Sequence, residues 1–224
     1  MIDAHCHILP GMDDGSRSVE ESISMLNLEA ENGITTAVLT SHFYASQNSP
    51  QKFLERRQKA WEKLKPHLTA QMPGILLGAE VQYFEGICQI PDLHDLCIQG
   101  TDLLLLEMSQ QKWSERVIRD VEELQDREDM TVLLAHIERY FPYERKEDWA
   151  WLRRCGVLMQ VSASYFQSWH TRHKAKKMLK AGHIQLLGSD AHNMTSRRPN
   201  LTGRLVPSGY LQESLIPEEK AYHV

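Results

Sequence analysis

Residues 1–7 read MIDAHCH, and the interpretation of the whole chain starts from this stretch. Residues 2–5 form a short strand-like run that ends on His5, and His7 follows two positions later. Side chains two positions apart on a strand point to the same side, so the two imidazoles can converge while Cys6 faces away. Imidazole nitrogens bind zinc, iron and similar divalent ions. The opening stretch therefore predicts a metal site at the end of the first strand.

Beyond this strand, the sequence alternates between strand and helix patterns. Apolar runs predict further strands at residues 35–40, 75–77, 102–106, 131–135, 157–161 and 184–187. Amphipathic segments between the runs predict helices at residues 18–32, 50–67, 113–127, 144–155 and 168–181. Seven β–α alternations with nearly continuous apolar strands are typical of a parallel sheet covered by helices. An open doubly wound sheet and a closed barrel both fit this order.

The composition is that of an ordinary globular protein. The chain has 224 residues, of which 42% are hydrophobic and 25% charged, and we expect one domain over residues 1–224. A formal charge of −5 argues against a nucleic-acid-binding protein, which would need a basic surface. No apolar run approaches the roughly 20 residues of a membrane helix, and no secretory signal opens the chain. We therefore expect no direct membrane insertion and a cytoplasmic location.

Metal-competent side chains stand at the ends of six of the seven predicted strands. With Asp14, they are nine in number: His5, His7, Asp14, His42, Glu80, Glu107, His136, Asp190 and His192. Any one of them alone is more easily explained as a packed histidine or a solvated carboxylate. In a barrel all the carboxyl ends of the strands open on one face, whereas an open sheet gathers only those near its switch point. The spread over six strand ends therefore favours a closed barrel.

Nine ligands suit two or three metal ions, because a catalytic zinc needs only three protein ligands and carboxylates can bridge. The mixture of imidazole and carboxylate fits zinc, iron or manganese better than calcium or magnesium. Such a cluster activates water at neutral pH and holds both the attacking and the leaving oxygen. The chemistry that it serves best is hydrolysis of a phosphate ester.

Two arginines sharpen this prediction. Arg139 follows the strand that ends at His136, and Arg197 follows His192, so both should lie over the same face of the barrel. A guanidinium group can bind two phosphate oxygens at once. The alternatives are a salt bridge from Arg139 to Glu138 or Glu144, and a solvated loop position for Arg197, with the adjacent Arg198 as the other candidate.

The cysteines argue against a covalent mechanism. A phosphocysteine route uses a thiolate in a C-x5-R motif, and none of the four cysteines has an arginine six positions further on. If the chain hydrolyses phosphate esters, activated water is the expected nucleophile and Cys6 is a packing residue.

Five motifs together resemble a known family. They are MIDAHCHILPGMDDG at residues 1–15, TSHFY at 40–44, LGAEVQY at 77–83, HIERY at 136–140 and SDAHN at 189–193. In combination they resemble the PHP-domain phosphoesterases, and more closely the bacterial manganese-dependent protein-tyrosine phosphatases encoded with capsule and exopolysaccharide genes. The resemblance covers residues 1 to about 200.

The resemblance implies an α/β fold, a distorted (β/α)7 TIM-like barrel (the PHP fold), with two or three divalent metal ions. Manganese is the metal expected first, with iron or zinc as alternatives. Three groups of ligands are implied: His5, His7, Glu80 and Asp190; Glu80, Glu107 and His136; and Asp14, His42 and His192. Catalytic roles are implied for Arg139 and Arg197, which would bind phosphate, and for His42.

The substrate implied is the phosphotyrosine tail of a partner tyrosine autokinase in polysaccharide synthesis. Three alternatives are weighed against it. The first is a PHP phosphatase for a small metabolite such as histidinol phosphate. The second is a metal-dependent amidohydrolase, although that family commonly bridges its metals with a lysine where this chain has Glu107. The third is a non-catalytic metal-binding or kinase-docking module.

The chain departs from the family pattern in two places. Phe43 and Tyr44 stand where a second basic residue is common, and the long closing helix expected after Asn200 is replaced by residues 203–208, GRLVPS, and a polar tail. The barrel is therefore expected either to close differently at this end or to use a neighbouring subunit in a homo-oligomer.

Overall fold

The protein consists of parallel strands covered by helices. Its structure is a computed structural model, which describes residues 1–203, 205 and 215–224. The strands are β1 Ile2–Cys6, β2 Thr36–Leu39, β3 His42–Phe43, β4 Gly74–Leu77, β5 Glu80–Gln82, β6 Leu103–Glu107, β7 Thr131–Leu134, β8 Leu158–Ser162 and β9 Leu186–Gly188. The helices are α1 Val19–Glu31, α2 Pro50–Leu64, α3 Glu115–Gln125, α4 Lys146–Arg154, α5 Ala163–Gln167 and α6 Arg172–Lys180. Short 3-10 turns cover Lys65–His67, Ile87–Gln89, Leu93–Leu96, Ile137–Arg139 and Glu218–Lys220.

The strands close into a barrel, as the distribution of ligands favoured. Strands β1, β2 and β4 form one sheet, and β3, β5, β6, β7, β8 and β9 form a second, in which all pairs are parallel. A parallel bridge between Cys6 and Ala191 joins β1 to the segment after β9. Because β3 continues β2 and β5 continues β4, the nine strands occupy seven positions. The fold is a distorted (β/α)7 barrel and not an open sheet.

Two predicted strands are interrupted, which the sequence pattern did not show. The strands predicted at residues 35–40 and 75–77 correspond to β2 and β4, but His42 and Glu80, expected at their ends, instead open the separate strands β3 and β5. Gly78 lies at the break between β4 and β5, where a Cβ would be 3.3 Å from the Ile98 and Thr40 side chains. The predicted last helix, residues 168–181, was also wrong at its start, since α5 precedes it and α6 begins at Arg172.

Alternating side chains divide the core into two parts. Residues such as Leu103 and Leu105 of β6 belong to a cluster that fills the barrel, while Leu104 and Leu106 pack outward with the helices. This alternation follows from the pleat of a strand. It places the next inward position of β6, Glu107, at the mouth of the barrel above the apolar filling.

The C-terminal residues close the opposite end of the barrel. Ile216 and Ala221 join the inner apolar cluster. The Glu218 carboxylate accepts hydrogen bonds from the hydroxyl groups of Thr35 and Thr36 at 2.9 and 3.1 Å, and Tyr222 pairs antiparallel with Ile75. The barrel thus closes differently from the long helix of the family pattern. Of the segment 203–208, Arg204 and residues 206–208 lie outside the described residues.

In the part of the chain that the structure describes, no helix is long and apolar enough to cross a membrane. The histidines that were not assigned to the metal site are exposed, apart from a partly buried His183: they are His67, His94, His170, His173 and His223.

Truncation of Ile216 tests the closure of the barrel by the C-terminal residues. Because Ile216 is fully buried, Ile216→Ala should lower the free energy of unfolding by about 2–5 kcal/mol in a urea titration. Val224→Ala is the control, since Val224 is 65% exposed and its truncation should cost about 0.5 kcal/mol or less. Equal unfolding midpoints for the two variants would contradict a structural role for this segment.

Candidate metal centre

All nine predicted ligands lie together at the carboxyl end of the barrel. His5, His42, Glu80 and Glu107 are carried by β1, β3, β5 and β6, and the others follow β1, β7 and β9. Register explains part of this convergence, because His42 is paired with Glu80 and Glu80 is paired with Leu105, an inward position. Their side chains therefore face the mouth of the barrel.

A β-bulge in β1 determines the direction in which the His5 side chain points. Asp3 pairs with Ala37 and Cys6 with Leu39, so β1 has one residue more than β2 between these pairs. An extra residue re-aims the side chains that follow it. Without the bulge His5 would share the outward side of Asp3; with it, His5 turns inward and Cys6 packs outward.

Two ligands have left-handed backbone. Among the described residues other than glycine, only His136 and Asp190 have positive φ, 30° and 53°. Hydrogen bonds hold both: the His136 amide donates to Gln160 Oε1 at 2.6 Å and the Asp190 amide donates to the His5 carbonyl at 2.8 Å. Such backbone is costly for residues other than glycine and is concentrated at functional sites.

The first group of ligands is compact. His5 Nε2 lies 3.1 Å from His7 Nε2, and Glu80 Oε2 lies 3.3 and 3.2 Å from these two atoms. Asp190 Oδ1 is 3.7 Å from both. All four side chains are buried, so nitrogen and carboxylate oxygen surround a common centre.

Glu80 also faces the second group. Its Oε1 is 2.9 Å from His136 Nε2, which is in turn 3.5 Å from Glu107 Oε1. Its Oε2 is 3.0 Å from His42 Nδ1, which lies 3.8 Å from Glu107 Oε2. Glu80 therefore lies between two clusters, where a bridging carboxylate would have to stand.

The third group lies nearest to solvent. Asp14 Oδ1 is 3.5 Å from both His42 Nε2 and His192 Nε2, and the His7 and His192 rings lie 3.8 Å apart. The Asp14 side chain is 66% exposed, which marks the mouth of the site. His7 and His42 each contact two of the groups, so the assignment of ligands to individual ions stays a prediction.

Residues around the ligands fix which histidine nitrogen faces the cluster. His5 Nδ1 donates to Gln160 Oε1 at 3.2 Å, and His7 Nδ1 donates to Asp13 Oδ2 at 2.9 Å. The Nδ1 atom of His192 donates to the carbonyl of Asp190 at 3.0 Å. In each of these histidines, Nε2 therefore remains directed at the cluster. Contacts of this kind orient metal-binding histidines and raise the basicity of the nitrogen that binds the metal.

Asp13, Gln160 and Tyr140 were missed by the sequence reasoning. The Asp13 carboxylate also accepts from the His42 amide at 2.8 Å, while Tyr140 Oη lies 3.1 Å from His136 Nδ1. The signals were present but weak: an aspartate beside Asp14, a glutamine within an apolar strand, and a tyrosine in the HIERY motif. Gly15 belongs with them, since a Cβ there would collide with His7.

The site favours positive charge. Although burial opposes it, the hydrogen bond to Asp13 and the nearby Glu80 carboxylate raise the pKa of His7 to about 10. Contacts with Glu107 and Glu80 raise the pKa of His136 to about 9, again against the effect of burial. His192 differs, because burial and the neighbouring His7 lower its pKa to about 4. Buried carboxylates thus hold cationic charge here, as a site for divalent ions requires.

Unpaired polar atoms provide a separate test of the metal assignment. His42 Nδ1, Glu80 Oε2 and His192 Nε2 are buried, and none of them makes a hydrogen bond of acceptable geometry with a residue that the structure describes, although His42 Nδ1 and Glu80 Oε2 lie 3.0 Å apart. A buried polar atom without a partner costs free energy, and all three point into the cluster. Nitrogen and carboxylate oxygen are the donors that zinc, iron and manganese accept, so the residues present fit such ions.

The two predicted arginines meet at one carboxylate. Arg139 Nη2 contacts Asp190 Oδ2, and Arg197 Nη2 donates to Asp190 Oδ1 at 2.7 Å. Their side chains are 30% and 37% exposed, so their other N–H groups remain accessible at the mouth of the site. The alternative partners of Arg139, Glu138 and Glu144, make no ion pair with it in the described structure.

Tyr44 stands where a basic residue was expected. Its ring stacks on the His42 imidazole, with centroids 5.2 Å apart and an interplanar angle of 24°. The four cysteines are free, and Cys6 donates from Sγ to the Val38 carbonyl. Burial raises the pKa of Cys88 to about 11 and of Cys97 to about 12, so neither is a thiolate at neutral pH.

Comparison with known proteins identifies relatives along most of the chain. CpsB from Streptococcus agalactiae, a tyrosine-protein phosphatase, is 29% identical over 90% of this chain and 86% of its own length. YwqE from Bacillus subtilis, also named a tyrosine-protein phosphatase, is 26% identical over 88% of this chain and 79% of its own length.

Solved structures agree on the fold. One matching crystal structure belongs to a study of YwqE from Bacillus subtilis and CpsB from Streptococcus pneumoniae, which are described as unique metal-dependent tyrosine phosphatases. It superposes on this protein with a TM-score of 0.71. It is 24% identical and covers 88% of this chain and 82% of the other. A dihydropyrimidinase from Brevibacillus agri is more distant, with a TM-score of 0.50 and 11% identity.

The assignment of the chain to a family rests on a family model that matches nearly the whole described barrel. The family model described as "Capsular polysaccharide synthesis, CpsB/CapC" matches residues 1–206, which include all nine clustered ligands and both arginines. The chain therefore belongs to the CpsB/CapC family of capsular polysaccharide synthesis proteins.

Proposed function

We propose that this protein is a metal-dependent phosphotyrosine-protein phosphatase that uses activated water and no cysteine nucleophile. The observation that carries the proposal is the convergence of nine metal-competent side chains on one barrel mouth, with two accessible arginines beside them. The names of the relatives support the choice of phosphotyrosine over other phosphate esters.

Each part of the site has a role in this proposal. We assign the nine clustered side chains as ligands of two or three divalent ions, with manganese as the first candidate and iron or zinc as alternatives. Ions bound there would activate water as a nucleophile and stabilise the charge that develops on phosphate. The chain itself orients the ligands through Asp13, Gln160 and Tyr140, and presents Arg139 and Arg197.

The arginines suit the binding of a phosphoryl group. Asp190 fixes one nitrogen of each guanidinium, and an arginine has five N–H donors, so several remain for phosphate oxygens. Asp190 also separates the two positive groups, which would otherwise repel each other. His42, between the second and third ligand groups, remains the proposed catalytic histidine.

The proposed substrate is a phosphotyrosine polypeptide, specifically the tail of a tyrosine autokinase in capsule or exopolysaccharide synthesis. Membership of a capsular polysaccharide family supports the setting, and the exposed Asp14 marks a mouth that is open to solvent. Four free cysteines support a reducing, cytoplasmic location. We further propose that residues 1–224 act as one catalytic domain.

Metal removal tests the proposal directly. Prolonged chelation should abolish hydrolysis of p-nitrophenyl phosphate and of a phosphotyrosyl peptide, and added manganese should restore both, because the proposed nucleophile depends on bound ions. Iodoacetamide should leave the activity nearly unchanged. Inactivation by iodoacetamide together with resistance to chelation would overturn the mechanism, and a preference for histidinol phosphate over the peptide would overturn the substrate class.

Substitution of Asp13 tests the outer support of the metal centre. Asp13→Asn should lower the affinity for manganese by about 10- to 100-fold in a titration of the metal-free protein, because His7 loses its charged partner. The exposed Asp92→Asn is a control of equal charge change and should bind manganese normally. Identical affinities for the two variants would show that Asp13 does not support the ligands.

Substitution of the two arginines tests phosphate binding. Arg139→Ala and Arg197→Ala should each lower kcat/KM for p-nitrophenyl phosphate by about 10- to 100-fold, because each loses a charge-assisted contact. The manganese content should stay close to that of the unaltered protein. The adjacent, exposed Arg198→Ala is the control. If Arg198→Ala impairs kcat/KM as much as Arg197→Ala, the assignment is wrong.

A further inference from the structure

A groove runs between α4 and α6 on the flank of the barrel, next to the proposed active site. We call it the α4/α6 groove, a cavity of about 560 Å³. Its floor is apolar and includes Phe141, Trp149 and Met178. Phe141 lies two positions after Arg139, a separation of about 7 Å at most along the chain. The groove therefore begins at the turn that carries a phosphate-binding arginine.

The rim of the groove is cationic. Lys146, Arg153 and Lys174 line it, and none of the three forms an ion pair with a residue that the structure describes. Lys174 Nζ instead lies 4.0 Å from the centre of the Phe141 ring. The helix behind this rim, α6, reads RHKAKKMLK and contains no acidic residue, although the chain as a whole carries a formal charge of −5.

The cations of the groove repel one another. Burial and the charge of Lys146 lower the pKa of Lys174, and burial and Arg154 lower the pKa of Arg153. His183 behaves in the same way, because burial and Arg153 lower its pKa. These neighbours are positive and uncompensated, so an anionic ligand would relieve their repulsion.

Two carboxylates close to the rim, Asp148 and Glu144, contact residues other than its cations. Asp148 binds the Arg145 guanidinium, with Oδ1 2.9 Å from Nη2. The Glu144 carboxylate accepts from the Trp113 amide at 2.7 Å. The other oxygen of Glu144, Oε2, is buried without a hydrogen-bond partner among the described residues. Neither carboxylate forms an ion pair with Lys146, Arg153 or Lys174 there, so the rim keeps its positive charge.

We propose that the α4/α6 groove binds an acidic segment of the polypeptide substrate, a few residues away from the phosphotyrosine, with an apolar side chain of that segment resting on the floor. The inference rests on the proposed phosphatase function and adds a docking site to it. A segment of about five residues spans roughly 17 Å when extended, which exceeds the about 7 Å that separates Arg139 from Phe141, where the groove begins. Opposite charges at such a rim raise the association rate and the selectivity for the partner.

Two matched peptides and one small substrate test the proposal. One phosphotyrosyl peptide carries a run of aspartates beside the phosphotyrosine, the other carries asparagines in their place, and p-nitrophenyl phosphate reports on the catalytic centre alone. The unaltered protein should prefer the aspartate peptide, and added salt should reduce that preference.

The double variant Arg153→Glu/Lys174→Glu should lower kcat/KM for the aspartate peptide by about tenfold, mainly through KM. Its kcat/KM for p-nitrophenyl phosphate and for the asparagine peptide should stay nearly unchanged. Lys52→Glu/Lys63→Glu is the control, an equal charge change at exposed positions of α2. Arg153→Gln/Lys174→Gln, a milder double variant, should show a smaller loss in the same direction.

Three results would overturn the docking site. They are an equal loss for the two peptides, no loss for either, and an equal effect of the control variant. If the double variant loses binding to vesicles of an anionic phospholipid while its peptide preference is unchanged, the groove faces a membrane surface and the proposal is also wrong. Failure of the phosphatase function is distinguishable, because the unaltered protein would then hydrolyse neither p-nitrophenyl phosphate nor phosphotyrosyl peptide.

Discussion

The seam between the first and last strands is the constraint on which the site depends. The bridge from Cys6 to Ala191 and the hydrogen bond from the Asp190 amide to the His5 carbonyl bring together segments that lie far apart in the chain. The buried Asp3 carboxylate reinforces the seam by accepting from the amides of His5 and Ser189 at 3.1 and 2.8 Å. If the barrel were open at this point, the two histidines of the opening motif would lose Asp190.

Electrostatic compensation explains why so many ionisable groups can be buried in one place. Histidines and carboxylates alternate around the centre, and Asp13 and Glu80 keep His7 protonated when no stronger cation competes. The charge of Asp190 is compensated as well. Its pKa falls to about 2 despite burial, because His5 and Arg139 stabilise the carboxylate. Divalent ions would take over this compensation when they bind, and the arginines would then be freer to meet phosphate oxygens.

Sequence reasoning predicted the parts that depend on residue chemistry and strand order. The barrel class was correct, because metal-competent side chains at six strand ends favoured closure, and the nine side chains lie together as expected. It failed at local departures from regular strand geometry. The bulge in β1 and the interruption at Gly78 leave no mark in a hydrophobic pattern, and Asp13 differs from Asp14 only by the turn in which each stands.

The left-handed backbone of His136 and Asp190 limits how relatives of this protein can vary. Glycine, asparagine, aspartate and histidine tolerate this backbone better than other residues, and only aspartate and histidine are also strong ligands for these metals. Two independent demands therefore leave few residue types at each position. Replacement of His136 or Asp190 by asparagine or glycine would preserve the barrel and remove the predicted metal ligand at that position. A relative with such residues would share the fold as an inactive homologue, and these two positions are where a family search should look for one.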